Sequence, residues 1–179
     1  MKKGCGKVKG GAYERKVARQ LGKWYYNDPN ALYRTAGSGS RATIRSGVGL
    51  HPGDIAPCKP GLPRFPFAVE CKHGYNWTFD QALKSPKTWL PVTWWEKLSA
   101  QALNLAVPLL IMRRTGGLEY VMMSRAAYTE IGGAVGYSEF RPRFEYKWSS
   151  ADAVFVFPLS CLLSAPAREV RQAILGGTK

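Results

Sequence analysis

The chain has 179 residues, with 26 Lys and Arg against 12 Asp and Glu, a formal net charge of +14, and a hydrophobic content of 45%. That hydrophobic share excludes a disordered chain, and the length fits one globular domain with a real core. The charge suits a polyanion such as nucleic acid, without naming a reaction. Cys5, Cys58, Cys71 and Cys161 are scattered, with no Cys-x-x-Cys and only His51 and His73 beside them, which argues against a structural zinc site and for a reduced, intracellular protein. The basic start MKKGCGKVKGG lacks the apolar core of a signal peptide, and no run is long and apolar enough to span a bilayer, so no membrane partner is expected.

Residues 1–11, rich in Lys and Gly, read as a flexible basic arm. From Ala12 to Trp24, Tyr13, Val17, Leu21 and Trp24 recur at helical spacing with Arg15, Lys16 and Arg19 on other faces, which predicts an amphipathic helix. Glu14 falls in its first turn, where the helix dipole alone explains a carboxylate. After a turn at Asn27-Asp28-Pro29-Asn30, Leu32–Thr35 reads as a short strand entering a Gly/Ser loop. Small residues there let backbone amides and the Ser38 and Ser40 hydroxyls approach a phosphate, and Arg34, Arg41 and Arg45 favour a phosphate-facing loop over a plain connector.

A second strand is expected within Thr43–Ile55, leading into Asp54 in a Pro/Gly-rich turn, and a third over Phe67–Lys72. Alternation along that third strand puts Glu70 and Lys72 on one face and Val69 and Cys71 on the other. Two carboxylates form a hard oxygen site for Mg²⁺ or Mn²⁺, and a neighbouring lysine can hold or polarise a water for attack on a phosphodiester. This is the PD-(D/E)xK nuclease pattern. Asp, Glu and Lys are common, so such a triplet also arises by chance, as an ordinary surface ion-pair cluster. Cys71 reads as core packing, with a backbone carbonyl within reach of a metal held by its neighbours.

Beyond a Trp- and Pro-rich linker, TWWEKLSAQALNLA predicts a helix capped near Thr93, with Trp94, Leu98, Ala102 and Leu105 on one face. Trp94 and Trp95 suit the core, a dimer contact or a stacking surface for an unpaired base. VPLLIMRR and LEYVMM, separated by Thr115-Gly116-Gly117, read as a β-hairpin that leaves Arg113 and Arg114 toward DNA. A short helix at Arg125–Ile131, a loop through GGAVGYSEFRPRFEYKW, a strand at Ala153–Phe157 and a helix in Ala165–Leu175 complete the chain.

In this order the motifs resemble the archaeal-type Holliday junction resolvases, which also occur in viral genomes. The matching pieces are Lys9-Gly10-Gly11-Ala12-Tyr13-Glu14-Arg15, Tyr33-Arg34-Thr35-Ala36-Gly37-Ser38-Gly39, Gly53-Asp54-Ile55 and Val69-Glu70-Cys71-Lys72, with the helix bearing Gln101 and the strand ending in Arg113-Arg114. The resemblance covers roughly residues 9 to 124. Gly53 stands where the motif name expects proline, Pro52 lies one place earlier, and nothing after about Ser124 has a counterpart in that family.

The resemblance implies an α/β restriction-endonuclease-like core: a central mixed β-sheet flanked by helices over residues 12–124, with 125–179 a C-terminal extension packed on it in one nuclease domain. It implies a homodimer that acts on branched DNA and cuts four-way junctions by paired symmetric nicks with Mg²⁺, Mn²⁺ substituting, inside a host cell if virally encoded. Asp54 and Glu70 would be metal ligands, aided by the Cys71 carbonyl, with Lys72 positioning water or stabilising charge and Glu14 supporting the site. Arg15 and Arg34 would be catalytic-site or phosphate-contacting arginines, and Ser38 or Ser40 would lie near the scissile strand. The alternatives are a nuclease of the same core acting on duplex, flap or branched DNA, and a non-catalytic basic nucleic-acid-binding protein.

Overall fold

The computed structural model describes residues 5–35, 52–85, 88–102, 105–136, 144–147 and 153–176. Its elements are α1 (Cys5–Tyr26), β1 (Leu32–Arg34), β2 (Ile55–Pro57), β3 (Phe67–His73), α2 (Phe79–Lys84), α3 (Leu90–Ala102), β4 (Val107–Arg113), β5 (Glu119–Ser124), α4 (Arg125–Val135), β6 (Phe144–Lys147), β7 (Ala153–Pro158), α5 (Leu159–Ser164) and α6 (Ala167–Gly176). Among the described residues five strands form one sheet in the order β3-β4-β5-β7-β6, and β1 and β2 form a separate antiparallel ribbon. β3 and β4 run parallel and every other pair in the sheet is antiparallel, so the expected mixed sheet is present.

Side-chain parity explains why the central strands read as continuous apolar runs. Phe67, Val69, Leu109, Ile111, Val121, Met123, Phe155 and Phe157 point to one face, packed under α1, α4, α5 and α6. Ala68, Leu110, Met112, Met122, Val154 and Val156 point to the other, under α2 and α3. A sheet covered on both faces selects apolar residues at successive positions, and the alternation seen in half-exposed strands disappears. On the edge strand β3 that run is interrupted, with polar residues at Glu70 and Lys72.

Several expected boundaries move. The first helix begins at Cys5, so residues 5–11 are its opening turns and not a basic arm, and Glu14 lies well inside it. The α3 helix begins at Leu90 with Pro91 in its first turn, a position proline tolerates, so Thr93 is not its cap. α2 was hidden in the linker, although Thr78-x-x-Gln81 forms a reciprocal capping box that is legible in sequence. The strand expected in the C-terminal stretch, β7, is an internal strand of the sheet between β5 and β6, and β6 lies in what read as loop. The described residues beyond Ser124 therefore supply two strands of the central sheet and part of one of its helical layers, and do not form an appendage to a finished core.

Candidate active site

β3 is the edge strand of the five-stranded sheet, and the segment before β2 runs alongside it: Gly53 bridges Val69 in parallel. This close approach depends on glycine. Gly53 has φ +99°, and a Cβ there would stand 2.4 Å from the Val69 carbonyl oxygen. The Asp54 N–H donates to that same carbonyl at 2.6 Å, and the Thr35 N–H donates to the Asp54 carbonyl at 2.8 Å. The Thr35 hydroxyl donates to the Gly53 carbonyl at 2.8 Å. Thr35, buried at the end of β1, thus grips both sides of the turn that carries Asp54. Thr35 stands in the sequence as the end of a short strand and within the Tyr33–Gly39 motif, and its grip on the Asp54 turn is visible only in the fold.

The carboxylate of Asp54 is 2% exposed, and its Oδ2 accepts the Cys71 backbone N–H at 2.8 Å. Cys71 separates Glu70 from Lys72, so this bond fixes Asp54 against the Glu-x-Lys segment. Glu70 and Lys72 share a face, as the strand period requires, and form an ion pair in which the Lys72 ammonium donates to Glu70 Oε1. Their side chains remain 14% and 23% exposed, which leaves the pair open at the sheet edge. Burial pulls the Lys72 pKa down, but the hydrogen bond and charge of Glu70, then Asp54 and Tyr75, outweigh it and hold the ammonium above its ordinary range.

Glu14 approaches from α1. It pairs with Arg34 of β1, tying that helix to the ribbon beside the site. The Cys71 thiol registers the surrounding charge: burial pushes its pKa well up, and Asp54, Glu14 and Glu70 push it further, with Lys72 opposing. Three carboxylates thus bear on one residue of β3. Cys71 is buried and faces the α1 layer, which makes it the core side chain the alternation suggested.

Asp54, Glu70 and the Cys71 carbonyl are hard oxygen donors, which fit Mg²⁺ or Mn²⁺; Mg²⁺ commonly takes one or two carboxylates and fills its remaining positions with water. Among the described residues no group of three or more His, Cys, Asp and Glu side chains forms a ready cation cage.

The basic residues divide. Arg15 is exposed, and its guanidinium and that of Arg34 lie side by side over Gly11. With Arg19, Asn30 and Tyr33 they line an open groove of about 410 Å³ between α1 and β1. Arg113 is half-buried and engaged, donating to the Gly117 carbonyl at 3.0 Å and lying 3.9 Å from Glu119, whereas Arg114 is exposed. Gln101, exposed on the last turn of α3, stands about 10 Å along the helix from Trp94, whose ring lies 6.0 Å from the Lys72 ammonium. Ser38, Ser40, Arg41 and Arg45 lie outside the described residues.

Residues 6–157 match the family model described as "Phage putative PDDEXK endonuclease". The chain belongs to this phage PDDEXK endonuclease family. It is a nuclease of the PD-(D/E)xK superfamily, and the members of that superfamily typically use divalent metals. The match runs through β7, so the family unit extends past Ser124, where the resemblance to the junction resolvases stopped. No curated protein and no solved structure matches the chain. No helix among the described residues is long and apolar enough to cross a membrane.

Proposed function

We propose that this nuclease is a Mg²⁺-dependent, structure-specific endonuclease that resolves four-way DNA junctions by paired symmetric nicks, with Asp54, Glu70 and Lys72 at its centre. The observation that carries the catalytic part is the docking of Asp54 onto the Glu70-Cys71-Lys72 backbone through the Cys71 N–H. It brings an acidic residue from one segment to the Glu-x-Lys of another, as metal-assisted phosphodiester cleavage requires.

Asp54, Glu70 and the Cys71 carbonyl would hold the cation, which when bound supplies charge stabilisation and a water of lowered pKa. The protein's own groups do the rest. Lys72, held protonated by Glu70, presents a fixed positive charge to the phosphate oxygens as negative charge builds on them. Arg34, oriented by Glu14, and Arg15 beside it offer cationic contacts to the flanking backbone. The net charge of +14 favours a substrate dense in phosphates.

Preference for a four-way junction rests on the residue order shared with the junction resolvases. Paired nicks need two sites, most simply one on each subunit of a two-fold dimer. The test is cleavage of a four-way junction, a duplex and a flap of the same sequence in Mg²⁺. Symmetric cuts confined to the junction support the reading, and equal cutting of duplex or flap supports instead a nuclease of the same core with broader substrate use.

A further inference from the structure

The chain leaves β3 through Gly74, at φ +81°, whose N–H donates to the Arg113 carbonyl at 3.0 Å. A positive φ turns the chain sharply at the strand end, and glycine takes it without strain. Tyr75, the next residue, comes back over the α3 side of the sheet, where Glu70 and Lys72 point. Its ring meets that of Trp94 edge to face, at 4.9 Å and 63°. The same Trp94 ring lies 6.0 Å from the Lys72 ammonium. One buried indole is thus shared by Tyr75 and the lysine of the proposed active site.

Tyr75 is anchored and yet open, at 48% exposure. Among the described residues the other large apolar side chains that stand out in solvent are Leu83, Leu105 and Leu118, none of which has a polar atom to offer. Tyr25 and Tyr26 use their hydroxyls inside the protein, donating to the Arg64 and Pro63 carbonyls at 2.9 and 2.7 Å. The Tyr75 hydroxyl has no hydrogen-bond partner among the described residues. A ring already packed on a buried neighbour has little side-chain freedom left to lose, so its hydroxyl is a donor placed in advance. Tyr75 is also one of the groups that hold the Lys72 ammonium charged.

The proposed function puts a phosphodiester at Lys72. Successive phosphates of a strand follow one another at about 3.4 Å of duplex axis, so a strand that passes Lys72 brings its next phosphates past Tyr75. We propose that Tyr75 contacts the substrate: its hydroxyl donates to a non-bridging oxygen of a DNA phosphate one or two nucleotides from the one at Lys72, while Trp94 holds its ring. This inference rests on the reading of Lys72 as an active-site residue. Tyrosine is among the side chains that donate to phosphate oxygens, and such a contact sets register without reading sequence. It therefore serves duplex and branched substrates alike, and stands apart from the preference for four-way junctions.

Binding is measured on the full chain with EDTA present, so that failure of the metal-site assignment leaves the contact readable. A four-way junction, whose arms also present duplex backbone, is made with a single uncharged methylphosphonate at each phosphate in turn along one strand through the branch point. Each is titrated against wild type, Tyr75→Phe and Tyr75→Leu, with near-UV circular dichroism and thermal denaturation as fold controls. Tyr75→Phe keeps the ring against Trp94 and removes only the hydroxyl, and it should weaken binding of the unmodified DNA about tenfold. One methylphosphonate should weaken wild type and cost Tyr75→Phe nothing further, and the cut mapped in Mg²⁺ should fall within about two nucleotides of it. Full-strength binding by Tyr75→Phe, with loss only in Tyr75→Leu, overturns the proposal and leaves the ring as cover for Trp94. Equal losses in wild type and Tyr75→Phe at every methylphosphonate overturn it too, as does a cut mapped farther away. A coupled phosphate on DNA that wild type leaves uncut in Mg²⁺ would keep the Tyr75 contact and remove the catalytic reading.

Discussion

The backbone N–H of Cys71 and the Oδ2 of Asp54 meet at 2.8 Å, and this bond joins the two halves of the site. Asp54→Asn keeps an acceptor for the buried N–H and removes the charge. Asp54→Ala removes both and strands a buried donor at about 1–3 kcal/mol. Cleavage should fall more than about 100-fold in each, since losing even a group that only orients a metal ligand costs roughly 10–100-fold. Thermal denaturation should separate the pair, with Asn near wild type and Ala clearly lower. Equal melting of the two variants would show that the bond contributes nothing to the fold.

Gly53→Ala tests the turn itself. A Cβ 2.4 Å from the Val69 carbonyl, on a backbone at φ +99°, forces the segment off β3. The expected loss is about 2 kcal/mol of stability, with reduced cleavage because Asp54 moves with the turn. Denaturant unfolding and single-turnover cleavage check the two consequences, and wild-type behaviour in both would contradict the tight approach.

Lys72 carries a pH prediction. Its folded pKa lies above the ordinary lysine value, so its stabilising contribution is present in full below that range and is lost as pH rises through the folded pKa. From pH 6 to about 9, titration of Lys72 should leave no inflection in the cleavage rate. An inflection near pH 8 that disappears in Lys72→Arg would contradict the assignment.

Cys71 should be silent to thiol reagents in the native protein. Burial and the carboxylates of Asp54, Glu14 and Glu70 keep it protonated, and stability should fall as pH rises past the ordinary thiol range, where the unfolded chain ionises first. Timed alkylation with peptide mass mapping should show Cys58 and Cys161, both half-buried, modified before Cys71. Early modification of Cys71 would place its thiol outside the core.

Arg15 tests the groove between α1 and β1. Arg15→Ala should weaken junction binding and lower the slope of log affinity against log salt by about 1, with unchanged melting. An unchanged slope would remove Arg15 from the phosphate contacts.

The pair Glu70 and Lys72 was legible because strand alternation is local and an apolar run ending in polar residues marks where the cover stops. Asp54 was legible as a residue but not in its attachment, which depends on a positive-φ glycine and on Thr35, neighbours in space and not in sequence. The interior place of β7 was hidden for a related reason: antiparallel pairing with β5 spans a long stretch of chain, and periodicity says nothing of strand order. The start of α1 was not legible because Lys and Gly composition is a weak guide to where a helix begins. The engagement of Arg113 by Glu119 and Gly117 was invisible for want of the hairpin's register.

Glu70, set beside Asp54 and Lys72, is expected to support metal-dependent cutting of branched DNA. A four-way junction incubated in Mg²⁺ with wild type and with Glu70→Ala, with cuts mapped on all four strands, tests it most directly. Wild type should make symmetric paired nicks and Glu70→Ala none, while both bind the junction comparably. Nicking by Glu70→Ala at the wild-type rate would contradict it.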